Sequence, residues 1–213
     1  MTTLLLWLLT GACAVTDWVA VARHDTRTER WAKPATLAAL IATALAMGAT
    51  DSAAGLWLLV ALAFGLLGDV MLLSPSTARF QAGLAAFLVG HLAYLGSFLT
   101  LGMDRPGWAM AGLVVVVVAL ALARGVLPAT QRSDGPALSV PVAVYMAVIS
   151  AMTLAAWATG VALVAVGASV FLASDTILAV DRFVQPRSWA RVAVMTTYHT
   201  GQALIVLGVL GLG

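Results

Sequence analysis

Apolar residues in this chain come in long runs, parted by short clusters of charged residues, glycine and proline. From the N-terminus the runs cover 2–22, 32–49, 53–73, 79–101, 107–127, 137–158, 160–180 and 189–211. Each is near the ~20 residues that carry a helix across the ~30 Å hydrocarbon core of a bilayer. Inside lipid every backbone polar group must be paired within the protein, so these runs are expected to be helices. The pattern predicts an all-α fold, a polytopic transmembrane helical bundle of about eight spans. The weakest break is at Thr159 and Gly160, where the sixth and seventh runs almost join.

Composition supports that reading. Of the 213 residues, 62% are hydrophobic and only 9% charged, with a mean hydropathy of +1.02. A soluble domain carries roughly 25% charged residues; this surface suits lipid. Eight spans consume the length, so 1–213 reads as a single integral membrane domain, and any chemistry must sit among the spans. The pI of about 9.1 reflects a net charge of only +2, and no basic run interleaves with aromatics. Nucleic acid is therefore not an expected partner. The lone Cys13 lies in the first apolar run, where one thiol forms no internal disulfide. Met1 to Ala22 lacks a basic leading segment and reads as a span rather than a cleaved signal.

Charge placement gives an orientation. Arg23, Arg27, Arg30, Lys33, Arg79, Arg124, Arg132, Arg182, Arg187 and Arg191 cluster around the breaks after the odd-numbered runs; only Arg105 follows an even one. The positive-inside rule puts those ten in the cytoplasm and both termini outside. The expected location is a bacterial inner membrane. A faint repeat is also visible. Gly68-Asp69 in the third run and Ser174-Asp175 in the seventh both read small-Asp-x-x-Leu, and the two aspartates are 106 positions apart. Arg79 precedes His91 by twelve residues, and Arg187 precedes His199 by twelve. Two parallel four-helix repeats, 1–106 and 107–213, fit this pattern.

Ionisable groups inside a membrane are costly and point to function. Here they are Asp17, Asp69, His91, Asp175 and His199, with Tyr94, Tyr145, Ser174, Tyr198 and Gln202 as uncharged companions. The orientation places most of them in the cytoplasmic half, converging on one cavity there. Asp17, one turn from a loop, reads as an interfacial or ion-pairing residue. No HExxH motif or His/Cys cluster is present, so neither a metal nor another cofactor is expected.

At these residues the chain resembles the YhhN-type lysoplasmalogenase family of small eight-span membrane proteins. The matching segments begin with Lys33-Pro34 at the start of the second run, and continue with Phe64 to Leu72 in the third. The fourth contributes Phe80, Gly83, Phe87, Gly90, His91 and Tyr94, and the sixth Tyr145. The seventh contributes Gly167, Ala168, Phe171, Ser174, Asp175, Leu178 and Ala179. The eighth contributes Tyr198, Gln202, Leu204 and Ile205. His199 departs from the aromatic residue expected beside Tyr198, and no family role is carried onto it.

The resemblance implies hydrolysis of the vinyl ether bond of a lysoplasmalogen, giving a fatty aldehyde and a glycerophospho-alcohol. The expected partners are a lysophospholipid substrate and the surrounding membrane lipids. Such a bond is cleaved by protonation of its β-carbon, then attack of water on the resulting oxocarbenium ion. Two carboxylates in a low-dielectric site can divide the work, one protonated and one ionised, much as in glycoside hydrolysis. Asp69 and Asp175 are the expected catalytic pair. Apolar flanks at Ala173, Ile177 and Leu178 favour Asp175 as the acid; Asp69, nearer the Ser74-Pro75 break, is the readier anion. Lys33, fixed by Pro34 in a first helical turn, is the expected contact for the substrate phosphate, with Arg79 and Arg187 as alternatives. His91, Tyr94, Tyr145, Ser174, Tyr198 and Gln202 are expected to bind substrate around the pair. The rival reading is a proton-coupled transporter or a lipid-binding membrane protein, because buried Asp and His groups also suit proton transport.

Overall fold

A computed structural model describes residues 1–74 and 76–211. Pro75, part of the break expected after the third span, lies outside the described residues. All regular structure among the described residues is helical. Among the described residues nine α-helices run in order: α1 (Thr2–Ala22), α2 (Thr26–Ala46), α3 (Ala53–Leu72), α4 (Thr77–Leu101), α5 (Ala109–Leu122), α6 (Val126–Asp134), α7 (Pro136–Ala158), α8 (Ala162–Phe183) and α9 (Ala190–Leu210). Single 3-10 turns precede α3 and α5.

Local chemistry sets the boundaries. Asp25 caps α2, accepting from the amides of Arg27 and Thr28, and the Thr28 hydroxyl donates to it at 2.6 Å. These hydrogen bonds, led by that from the Thr28 side chain, hold the Asp25 carboxyl below its ordinary range. The cap starts α2 earlier than the apolar run does, so Pro34 lies inside the helix rather than in its first turn. Ser52 caps α3 through the Gly55 amide at 3.0 Å. Between α7 and α8 the chain turns at Gly160, with φ of +76°, a conformation glycine adopts without steric cost. A side chain there would also strike the Cβ and Cγ of Arg105.

Six helices, α1, α3, α4, α7, α8 and α9, are long and apolar enough to cross a membrane. Two expected spans do not meet that measure. Helix α2 is as long as α1, but its first half carries Arg27, Glu29, Arg30 and Lys33. Helix α5 has only 14 residues. The expected loop beyond it instead forms α6, bent by 43° from the helix before it. Large apolar side chains point outward along the bundle, among them Leu4, Leu8, Val114, Val117 and Val118. Such a surface belongs in lipid, and the chain is an integral membrane protein.

The centre is built from two helix pairs, α3 with α4 and α8 with α9, bridged by α7, which packs on both α4 and α8, and by the approach of α3 to α9. Lipid is as apolar as leucine, so close packing rather than water exclusion must hold such helices together. Glycine provides it between α8 and α9. A Cβ on Gly201 would lie 2.9 Å from the Gly167 carbonyl oxygen, and one on Gly167 would lie 2.9 Å from that of Gly201. This contact brings Tyr198 and Gln202 of α9 to the middle of the bundle, where both are buried beside Phe171 and Tyr94.

Candidate active site

Helices α1, α3 and α8 finish, and α2, α4 and α9 begin, around two adjoining cavities. The first holds about 940 Å³ of space free of atoms, its open mouth included. Its walls are mainly apolar, with Leu84, Phe87, Leu120, Val142, Met146 and Leu172 from α4, α5, α7 and α8. Set into them are Lys33, Asp69, Tyr145, Ser174, Asp175 and Tyr198. The second, of about 1130 Å³, is a charged vestibule that includes Glu29, Asp181, Arg182 and Arg191. Lys33, Leu72, Phe80, Leu178, Arg182, Val194 and Met195 line both.

Asp69 stands near the C-terminal end of α3 and is 1% exposed. Lys33 Nζ lies 3.3 Å from its Oδ1, an ion pair outside hydrogen-bond geometry. The Tyr198 hydroxyl donates to its Oδ2 at 3.0 Å. Lys33 lies two turns inside α2, where its side chain is 6% exposed. An ammonium so buried requires an anion beside it, and Asp69 is that anion. The lysine expected to meet a substrate phosphate is thus engaged with a carboxylate of its own chain.

Asp175 is held differently. Its Oδ2 accepts from the Tyr145 hydroxyl at 2.5 Å and lies 3.1 Å from His91 Nε2. That nitrogen is in turn 2.8 Å from the Tyr145 oxygen. The triangle ties α4, α7 and α8 together. The Asp175 side chain is 13% exposed against 1% for Asp69. Both aspartates therefore face the same cavity, each gripped by an aromatic or imidazole group from a distant part of the chain.

The remaining expected residues separate into a second layer. His91, Tyr94 and Gln202 do not line the cavity; all three are buried behind it. The Tyr94 hydroxyl donates to Gln202 Oε1. Phe171 packs edge-on against His91, Tyr94 and Tyr198, with centroids 4.9, 6.1 and 5.3 Å away. Ser174 reaches the cavity wall, but its hydroxyl donates to the Val194 carbonyl at 3.0 Å and fastens α8 to α9. His199 faces α1, accepting from Trp18 Nε1 at 3.1 Å. Asp17, expected at the interface, is fully buried, and neither of its oxygens has a hydrogen-bond partner among the described residues. Sequence reasoning missed Arg182 as a site residue. Its guanidinium stacks over Phe80, 4.8 Å from the ring centroid, and it lines both cavities. Among the described residues, no three His, Cys, Asp or Glu side chains come together as a metal site.

The pattern that defines the YhhN family matches residues 28–209, which hold Lys33 and both cavity aspartates. This chain belongs to the YhhN family. Its relatives include a Mycobacterium tuberculosis protein named lysoplasmalogenase, 33% identical over 160 residues, 71% of this chain and 59% of the relative. The human protein named lysoplasmalogenase TMEM86B is 35% identical over 151 residues, 70% of this chain and 62% of the relative. Lysoplasmalogenase TMEM86A of Bos taurus is 30% identical over 158 residues, 70% of this chain and 62% of the relative. The chain thus spans about three fifths of the length of these curated relatives. No solved structure matches it with comparable significance.

Proposed function

We propose that this chain is an intramembrane hydrolase that cleaves the vinyl ether bond of lysoplasmalogens to a fatty aldehyde and a glycerophospho-alcohol. One observation carries the reading: Asp69 and Asp175 converge on a single, mainly apolar cavity. The names of the relatives support the substrate class.

Roles follow from the two environments. Asp69, beside Lys33 and the Tyr198 hydroxyl, is the anion. Asp175 is the acid, because no cation of the lysine type neutralises it and it is the more open to the cavity. The Asp175 proton is added to the β-carbon of the vinyl ether, and the π electrons form the new C–H bond. The positive charge that develops on the α-carbon and ether oxygen is stabilised by the Asp69 carboxylate. Water adds to the α-carbon and gives a proton to Asp69. The hemiacetal then collapses: its hydroxyl proton passes to the ether oxygen, the C–O bond breaks, and aldehyde and alcohol leave. A proton returns from Asp69 to Asp175, through water, to restore the starting state. Tyr145 and His91 fix the orientation of Asp175 throughout.

In the membrane, we read α2 and α5 as the seventh and eighth crossings. The charged half of α2 then lies at the cytoplasmic interface, where the vestibule opens, and both termini lie outside. The crossed gripping of the two aspartates, Asp69 by α9 and Asp175 by α4, supports the two-repeat reading. So does the Tyr94–Gln202 contact, since these residues are 108 positions apart.

The test is purified protein with a lysoplasmalogen, assayed for fatty aldehyde, with an ester lysolipid as control. Aldehyde should appear from the vinyl ether alone. Asp69→Asn and Asp175→Asn should each lower the rate about 10²- to 10⁴-fold, the usual cost of losing an acid or base. A folded double Asn variant with near wild-type release would end the two-carboxylate mechanism.

A further inference from the structure

We propose that Arg182 is the residue that recognises the lipid phosphate, holding it at the neck between the apolar cavity and the charged vestibule. The proposal rests on the lysolipid reading above and adds the residue that reads the head group.

An amphiphile with one chain needs an apolar space joined to a polar one, and the two cavities adjoin in that way. The cations that line either cavity are Lys33, Arg182 and Arg191. Lys33 is paired with Asp69 at 3.3 Å. Arg191 is engaged by both oxygens of Glu29, each at 2.8 Å. Arg182 forms no ion pair among the described residues, and its guanidinium rests on the Phe80 ring. Stacking leaves the edge of the guanidinium fork free for an oxyanion and limits its rotamers, so less freedom is lost on binding. Arg182 and Asp175 are two helical turns apart on α8, and both line the apolar cavity. A phosphate at Arg182 therefore lies on the vestibule side of the acid, and the hydrocarbon chain continues past Asp175 into the apolar walls. Arg79 and Arg187, the cations favoured as alternatives by sequence, line neither cavity.

Binding is the readout, using two saturated ethers that cannot be cleaved by vinyl protonation: a 1-O-alkyl lysophosphocholine and the matching 1-O-alkyl glycerol. Calorimetry on detergent-solubilised full-length protein compares wild type, Arg182→Gln, Arg182→Lys and, as a remote control, Arg132→Gln. Arg182→Gln should weaken the phosphate ligand by roughly 10- to 100-fold, the scale of one charge-assisted contact, and leave the alkyl glycerol within about twofold. Arg132→Gln should change neither. If the Gln variant does not purify folded, Arg182→Lys decides. It keeps a cation but loses the stacked fork, and should bind the phosphate ligand more weakly than wild type while still preferring it to the glycerol. Equal losses for both ligands, or no loss for the phosphate ligand, overturn the proposal. No turnover is needed. Wild type that binds as described but releases no aldehyde refutes the reaction and leaves Arg182 standing; aldehyde release with Arg182 variants that bind normally refutes Arg182 alone.

Discussion

Replacing Lys33 by methionine tests the ion pair directly. Methionine keeps the length of the side chain and removes the charge. Lys33 and Asp69 are 6% and 1% exposed, and 3.3 Å apart, so the pair is largely shielded from bulk water. Removing one member of a buried pair typically costs about 3–5 kcal/mol, because the partner is left as an uncompensated charge. Against a folding free energy of roughly 5–15 kcal/mol, that is a large share. Lys33→Met/Asp69→Asn should recover much of the loss, since neither charge is then left alone. The two sites should therefore show a coupling of roughly 1–3 kcal/mol, the range for contacting residues. Unfolding by SDS in mixed micelles, followed by far-ultraviolet circular dichroism, measures all four proteins of the cycle. The reasoning fails if Lys33→Met unfolds with wild type, or if the double variant is as unstable as the two single losses added together.

Further outcomes follow from other contacts. Tyr145→Phe removes the 2.5 Å hydrogen bond to Asp175 and keeps the ring; aldehyde release should fall about 10-fold with KM nearly unchanged, the scale of one hydrogen bond. Gly201→Val places methyl groups against the Gly167 carbonyl and should destabilise the protein by roughly 1–3 kcal/mol, read in the same micelle assay; an unchanged midpoint would show that α8 and α9 part easily. Reporter fusions at Thr28 should read cytoplasmic, and those at Asp51 and Asp104 external. Inverted readings would reject the orientation and the cytoplasmic vestibule with it.

The sequence made the helices legible because lipid imposes one rule on every span: a long apolar run. It was least reliable where a helix departs from that rule. The charged start of α2 reads as loop, yet the Asp25 cap draws it into the helix, and Pro34 is enclosed as a result. Asp69 and Asp175 stood out because an aspartate inside an apolar run has few bland explanations. Their partners did not. Which hydroxyl meets which carboxylate depends on how helices are rotated against one another, and periodicity carries no record of that. Lys33 and Arg182 show the same limit. Both look like interfacial cations along the chain, but one is buried against Asp69 and the other lies over Phe80 at the cavity neck. Asp17 lies one turn from a loop and is nonetheless fully enclosed, because α2 and α9 cover that end of α1.

The bond between Tyr198 and Asp69 joins residues 129 positions apart, and this has a bearing on biogenesis. A membrane chain is inserted roughly in the order of its synthesis. When α3 has entered the bilayer, Asp69 already has Lys33 within the same nascent segment, but the hydroxyl that completes its surroundings arrives only with α9. Asp175 likewise finds His91 waiting on α4 when α8 is made. The proposed catalytic pair thus acquires its surroundings only once α8 and α9 are in place, and a chain stalled before α9 holds both aspartates without the Tyr198 hydroxyl.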